Sequence, residues 1–362
     1  MFLLIGCAWT LMAIIDSTRQ PLIISLQFDV QQLEPKIKEW LEAKHNSWSP
    51  TYLDRLIQPL SSYTNPGDLL VLSPSGPLHS LPLHALGLEG EVLIQRNPVV
   101  YSPNLSILRQ CSLRSRTVSS KEQKDYNPAV MLGVYEDEGN ENNRDKVYQA
   151  LERRAQYFKG KSMCGKAVTM SSVREYIERS GLIHFHGHTK SNDNILDESL
   201  AISPEIAEKS NNDNNQPEGE PEPKPDLAAI KVRDIFSFKL RTPTVMLIAC
   251  SSGAQEVKPG DETLGFIPAF LYAGATSIIG TLWRTASVDG LKFTEIFYQH
   301  ISERDDGITN DRLIDLAVAV QHTILAMRRE TEFDEPYHWL HGAWKVSSFT
   351  PETFGIGRRV VD

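Results

Sequence analysis

Two short apolar runs in this chain end in side chains that can do chemistry. Leu182-Ile183-His184-Phe185-His186-Gly187-His188-Thr189 closes on an imidazole, and Val245-Met246-Leu247-Ile248-Ala249-Cys250-Ser251-Ser252-Gly253 closes on a thiol. Such runs read as buried strands. In open α/β sheets the sites lie beyond the carboxyl ends of the strands, so a parallel sheet would deliver a Cys/His pair to one rim. That is the arrangement of a cysteine hydrolase. The thiolate is the nucleophile, and backbone amides or an imidazolium stabilise it. Cys250 precedes Ser251-Ser252-Gly253, where loop amides replace apolar neighbours. The competing reading is a core cysteine, since free Cys is among the most buried residue types. Cys7, Cys111 and Cys164 have no comparable setting and read as structural.

His184, His186 and His188 alternate, so on a strand they share one face. Only one can lie past the strand end. His188 follows Gly187, where the chain can turn, and is the general-base candidate. His184, two pleats back, reads as a hydrogen-bonded support, with His186 intermediate. His84, His300, His338 and His341 fall in loops or helix ends. Alternating histidines are also metal-ligand spacing. No further Asp or His cluster accompanies them, so neither a metal nor another cofactor is expected.

The elements that must carry these residues follow from the punctuation of the chain. Helical spacing marks Val30 to Leu41 and Tyr52 to Leu60. A strand at Asp68 to Ser73 meets the turn residues Pro74-Ser75-Gly76-Pro77 and a second apolar element, Leu78 to Leu86, which together predict a hairpin. Strands follow near Val92 to Gln95 and Val99 to Tyr101, then a helix at about Ser106 and a strand at Ala129 to Val134. The Asn-rich, acidic Glu136 to Asp145 reads as a loop. Val147 to Phe158 and Ser171 to Ser180 read as amphipathic helices, the second capped by Ser171 or Ser172. After the His188 strand come a strand at Ser199 to Ser203 and a disordered acidic insertion over 207–226. From Ile230 the order is helix, the Cys250 strand, helix Thr263 to Tyr272, strand Ser277 to Trp283, helices Val288 to Glu303 and Thr309 to Arg329, and a last strand at Ala343 to Phe349. This alternation predicts an α/β fold with a mostly parallel central sheet and helices on both faces.

At 362 residues the chain can bury a sizeable core. Its net charge of -9 is concentrated: Glu205 to Asp226 holds seven acids against Lys209 and Lys224, a local -5. The remainder shows no basic footprint for nucleic acid. Four widely spaced cysteines without a CxxC pair indicate neither a disulfide framework nor a zinc ribbon, so a reducing, cytoplasmic setting is expected. The apolar run Phe2 to Ile15 lacks a basic start and falls short of the roughly 20 residues of a membrane span, so it reads as a buried strand or helix. A signal or anchor segment is the weaker alternative. No repeat is visible.

Three stretches resemble the CHAT domain family, caspase-like proteins often fused to tetratricopeptide repeats, and more distantly separase. They are Leu72-Ser73-Pro74-Ser75-Gly76-Pro77-Leu78-His79-Ser80-Leu81-Pro82-Leu83-His84-Ala85-Leu86, then Ile183 to Thr189, and Leu247 through Gly260-Asp261-Glu262-Thr263-Leu264-Gly265 to Leu282-Trp283. They occur in the family's order across about residues 50 to 350. The resemblance implies a caspase-hemoglobinase fold and a cysteine endopeptidase in which Cys250 and His188 form the dyad. It implies an oxyanion hole from the backbone amides of Cys250 and Thr189, and a protein substrate. It also suggests a tetratricopeptide-repeat or regulatory partner. On this reading residues 1–49 are an N-terminal segment, 50–350 the CHAT domain and 351–362 a tail.

The chain departs from the family at two places. Thr189 stands where the family has Gly, which narrows the backbone's freedom. After Trp283, Arg284 stands where an acid or Pro is common, and only Asp289 keeps a carboxylate. Asp261 and Glu262 are a second acidic wall for a basic substrate side chain, or simply a helix N-terminus. A catalytically silent interaction module of the same fold is the alternative that these departures favour. The insertion around Asn211 to Pro225 lies between base and nucleophile, where relatives of the fold are often cleaved on activation, so the resemblance implies a protease-accessible activation segment there.

Overall fold

The computed structural model describes residues 2–5, 10–14, 22–26, 35, 53–116, 127–135, 141–205, 228–241, 244–258, 262–304, 315–330 and 344–347. The insertion over 207–226, the tail and, apart from Pro35, the helix expected at Val30 to Leu41 lie outside them. Within them, eight strands form one sheet. These are β1 (Leu70–Leu72), β2 (Val99–Tyr101), β3 (Asn127–Gly133), β4 (Lys161–Cys164), β5 (Ser180–His186), β6 (Thr244–Ile248), β7 (Ser277–Thr281) and β8 (Trp344–Ser347). Their spatial order is β1-β2-β8-β7-β6-β5-β3-β4. The run β7-β6-β5-β3-β4 is parallel throughout. β8 is antiparallel to β7 and parallel to β2, which in turn pairs parallel with β1.

Strand periodicity divides the apolar residues into two cores. Met131, Leu182, Met246, Ile248 and Ile279 face helices α2 (Glu141–Tyr157), α5 (Ser287–Arg304) and α6 (Leu316–Arg329). Their neighbours Val130, Leu132, Ile183, Phe185, Val245, Leu247 and Ile278 face α3 (Met170–Ile177) and α4 (Phe266–Ala273), with Cys111 of α1 (Leu105–Arg116) in the same core. A strand covered on both faces is apolar at successive positions instead of alternating, which is why β5 and β6 are legible as continuous runs. Each fully buried side chain such as Phe185 adds about 2–3 kcal/mol of burial. His184 and His186 fall on the α5 face of β5, in register with Met246 and Ile248 of β6.

Several elements differ from their sequence signals. The expected hairpin after β1 is absent: Gly76–Ser80 and Leu83–Ala85 are 3₁₀ turns, and β1 pairs with β2. Pro77 and Pro82 lack the N–H that a ladder needs, while Leu78, Leu81, Leu83 and Leu86 still reach the core, all at 1% exposure or less. In the helix expected at Tyr52 to Leu60, the described residues form two 3₁₀ turns, Asp54–Leu56 and Gln58–Ser62, with Pro59 in the first positions of the second. The strand expected at Val92 to Gln95 is Glu91–Val92 followed by a helical turn, Leu93–Arg96. α2 begins at Glu141, inside the expected loop. α3 is capped by Thr169, whose extended backbone lets its side chain accept from the Ser172 amide.

Ile230 itself lies in a strand, Ala228–Lys231, antiparallel to Ser199–Ile202, and the helix expected from there is the short Val232–Ile235. Thr263 lies in a hairpin, Glu256–Lys258 with Glu262–Leu264. α4 starts only after Gly265, whose φ of 143° breaks the run. The N-terminal apolar run is two strands of a three-stranded meander, Phe2–Ile5, Thr10–Ile14 and Leu22–Ser25, with Ile23 exposed on the last.

Candidate active site

β5 and β6 pair in parallel with His186 opposite Ile248. Two residues on from this last pair are His188 and Cys250, so the imidazole and the thiol both lie beyond the carboxyl ends of neighbouring strands. Adjacent strands lie about 4.8 Å apart. The ladder runs on by one bond, with the Gly187 amide donating to the Ile248 carbonyl at 3.1 Å. Beyond it the two chains diverge. The His188 carbonyl accepts from the Ala201 amide at 2.9 Å, and Thr189–Lys190 joins a small antiparallel sheet with Ser199–Ile202. Antiparallel pairing directs successive backbone groups to opposite sides, which leaves the Thr189 N–H on the edge away from that strand.

The Cys250 loop turns instead toward the end of β7. The Ser251 amide donates to the Trp283 carbonyl at 2.8 Å, and the Gly253 amide to the Thr281 carbonyl at 2.6 Å. Two buried hydroxyls brace this turn. Ser252 Oγ donates to the Leu247 carbonyl at 3.0 Å and accepts from the Thr281 amide at 3.1 Å, while Thr281 Oγ1 donates to the Ala249 carbonyl at 2.6 Å. Ser251 sits at φ 55°, in the left-handed region that non-glycine residues seldom occupy. Outliers of this kind concentrate at functional sites. The half-buried Cys250 Sγ donates to the Thr285 carbonyl at 3.6 Å. No acceptor takes the Cys250 N–H among the described residues. Thr189 Oγ1 donates to the Cys250 carbonyl at 2.6 Å, joining the two loops.

Tyr135, just past the end of β3, sits edge-on to His188, with ring centroids 4.9 Å apart and planes at 80°, and also touches His186 at 5.6 Å. Its own amide donates to the Tyr148 hydroxyl at 3.0 Å. Below, His184 Nδ1 is 2.9 Å from the Tyr298 hydroxyl of α5. Burial holds the His184 imidazole neutral, with its pKa lowered to about 3. His186 is lowered in the same direction, first by burial and then by its two histidine neighbours. The strand therefore carries two neutral imidazoles beneath a half-buried, rim-level His188.

The acidic residues marked in the sequence are spread out. Glu262 is exposed on the hairpin, so the helix-terminus reading does not hold for it; Asp289 is buried in the first turn of α5, and Asp261 lies outside the described residues. Arg284 is exposed. Cys111 is buried, and Cys164 is half-buried with its thiol pushed up chiefly by burial; Cys7, His338 and His341 are outside the described residues. His84 bonds Tyr101 at 2.8 Å, and His300 stacks on His322. Sequence reasoning missed Tyr135, Ser252, Thr281 and Thr285. Only the polar Ser252 and Thr281 at the ends of apolar strands offered a signal. Among the described residues, no group of three or more potential metal ligands occurs, and no helix is long and apolar enough to cross a membrane.

In shape, the chain is similar to gingipain R, an Arg-specific cysteine proteinase, with a TM-score of 0.53 at 11% identity over 90% of this chain and 76% of that one. Separase of Saccharomyces cerevisiae, solved in complex with securin, aligns with a TM-score of 0.48 at 14% identity over 77% of this chain. The chain spans 15% of the length of that separase chain. No curated protein matches it in sequence. The likeness to gingipain gives a caspase-like fold, the fold of a class of cysteine peptidases, and the CHAT domain model matches residues 51–351. A family match of that extent, over a sheet that carries His188 and Cys250 at one rim, means that this chain belongs to the CHAT domain family.

Proposed function

We propose that the chain is a cysteine endopeptidase in which Cys250 attacks a peptide carbonyl and His188 manages the proton. The observation that supports this reading is that His188 and Cys250 each come two residues after the last paired residues of the adjacent parallel strands β5 and β6. His188 takes the thiol proton as the Sγ–carbon bond forms. It returns that proton to the leaving amine as the C–N bond breaks, and water then hydrolyses the thioester. The oxyanion is held by the Cys250 N–H, which has no acceptor among the described residues, and by the Thr189 N–H on the edge facing away from its strand partner. This chemistry requires no cofactor. A basic side chain before the scissile bond is the preferred substrate feature. Of the acids marked for it, Glu262 is accessible and Asp289 is enclosed.

One observation favours a second reading, a catalytically silent interaction module: the thiol donates to the Thr285 carbonyl. A thiolate has no hydrogen to donate, so this contact belongs to the resting thiol. Intact-mass labelling with peptidyl acyloxymethyl ketones bearing Arg or Asp separates the two. The peptidase reading expects one label on the wild type, none on Cys250→Ala, and a rate lower by about 10²–10⁴ for His188→Ala. A label that persists in Cys250→Ala, or a wild type inert to both ketones, overturns it.

A further inference from the structure

We infer that the Thr189 hydroxyl is a positioning group that clamps the base loop to the nucleophile loop, a role that rests on the peptidase reading. The backbone ladder between β5 and β6 ends at the Gly187–Ile248 bond. Past that point the His188 segment is drawn toward Ser199–Ile202, and the Cys250 segment toward β7. The two loops are thus hydrogen-bonded to elements on opposite sides. The bond from Thr189 Oγ1 to the Cys250 carbonyl, at 2.6 Å, ties them together.

The same bond fixes a peptide plane. In a trans peptide the carbonyl and the following N–H point in opposite directions. The Cys250 carbonyl accepts from Thr189 on one edge, and the Ser251 N–H donates to Trp283 on the other. The Cys250–Ser251 peptide is therefore strung between the base loop and the end of β7, which fits the left-handed backbone of Ser251, φ 55°. Threonine suits this task because its branched Cβ restricts χ1, so little side-chain freedom is lost in making the bond. Glycine has no group that could replace it. The departure from the family at this position supplies a tether in place of backbone freedom.

The test compares Thr189→Val, which keeps the shape and removes the hydroxyl, with Thr189→Ala, which removes both, and with Thr189→Ser, which keeps the hydroxyl. Each full-length variant is reacted with an Arg-bearing acyloxymethyl ketone and, separately, with iodoacetamide across pH, and modification of Cys250 is followed by peptide mass. Loss of one part-buried hydrogen bond should slow ketone labelling of Thr189→Val and Thr189→Ala by about tenfold, and displace the pH profile of iodoacetamide alkylation. Thr189→Ser should stay within about twofold of wild type on the same scale. Wild-type rate and profile in Thr189→Val overturn the clamp, as does a Thr189→Ser variant that falls as far as Thr189→Val. A wild type inert to the ketone rejects the peptidase reading alone. The iodoacetamide profile, which needs no substrate recognition, then decides the clamp by itself.

Discussion

Gly290 lies in the first turns of α5, directly over the strand that carries the histidines. A Cβ built there would stand 2.5 Å from Ile248 Cγ2 and 3.2 Å from His186 Nε2. Neither neighbour can retreat, because Ile248 is 2% exposed and His186 fully buried in a core at near-crystalline density. Gly290→Ala is expected to destabilise the fold by about 1–3 kcal/mol, the usual cost of overpacking, read as a lower denaturant midpoint. An unchanged midpoint would mean that α5 is free to lift from the sheet. The same contact places a helix against β5 at the level of His186, two residues before His188, so a lifted α5 should also slow labelling of Cys250. Little of this was legible in the sequence. Thr189, Thr285 and Tyr135 find their partners 61, 35 and 53 residues away, and loop backbone sets those meetings, not any local pattern. Cys250 and His188 stood out because each closes an apolar run, and a run buried on both faces needs no partner to be recognised.

At the scale of the element, β5 is an unusual strand because its α5 face carries two imidazoles with no exposure to water. His184 has one partner, Tyr298, while neither ring nitrogen of His186 has one among the described residues. Both groups have folded-state pKa values below the ordinary 6.5, that of His184 at about 3. For such groups the unfolded chain binds protons that the folded chain refuses as pH falls below about 6.5, so stability rises with pH across this window and is lost on acidification. Each group contributes a slope of up to about 1.4 kcal/mol per pH unit. His186→Leu orphans no hydrogen bond and removes one of the two groups. Urea midpoints between pH 7.5 and 5 should therefore fall less steeply for this variant than for wild type. Parallel curves would show that the pocket admits water or a proton. Elsewhere, elements were readable where one period dominated and unreadable where it did not. β3 and β6 announced themselves as compact apolar runs. The 3₁₀ turns between β1 and β2 did not, because prolines cut leucine-rich sequence into pieces too short to show either period.

Across the whole molecule, the segment outside the described residues at 206–227 connects strands that are already neighbours. Ile202 and Ala228 are Cα partners in the antiparallel pair of Ser199–Ile202 with Ala228–Lys231. That pair also holds Thr189–Lys190 through Thr189 opposite Leu200, so the insertion departs from, and returns to, the sheet that anchors the base loop. The dyad strands, by contrast, are fixed by two cores on opposite faces of the main sheet and by their own register. Cys250 and Thr189 are already joined in the uncut chain. The expectation that follows is a site that assembles without cleavage of the insertion. Replacing 206–227 with an uncleavable Gly-Ser linker of about eight residues should leave the fold intact. It should add stability on the order of 1 kcal/mol from the shorter loop, and Cys250 should take the acyloxymethyl ketone at the wild-type rate. Should the linker variant instead fold but fail to label, while wild type labels only after proteolysis between Glu205 and Ala228, the insertion is an activation segment.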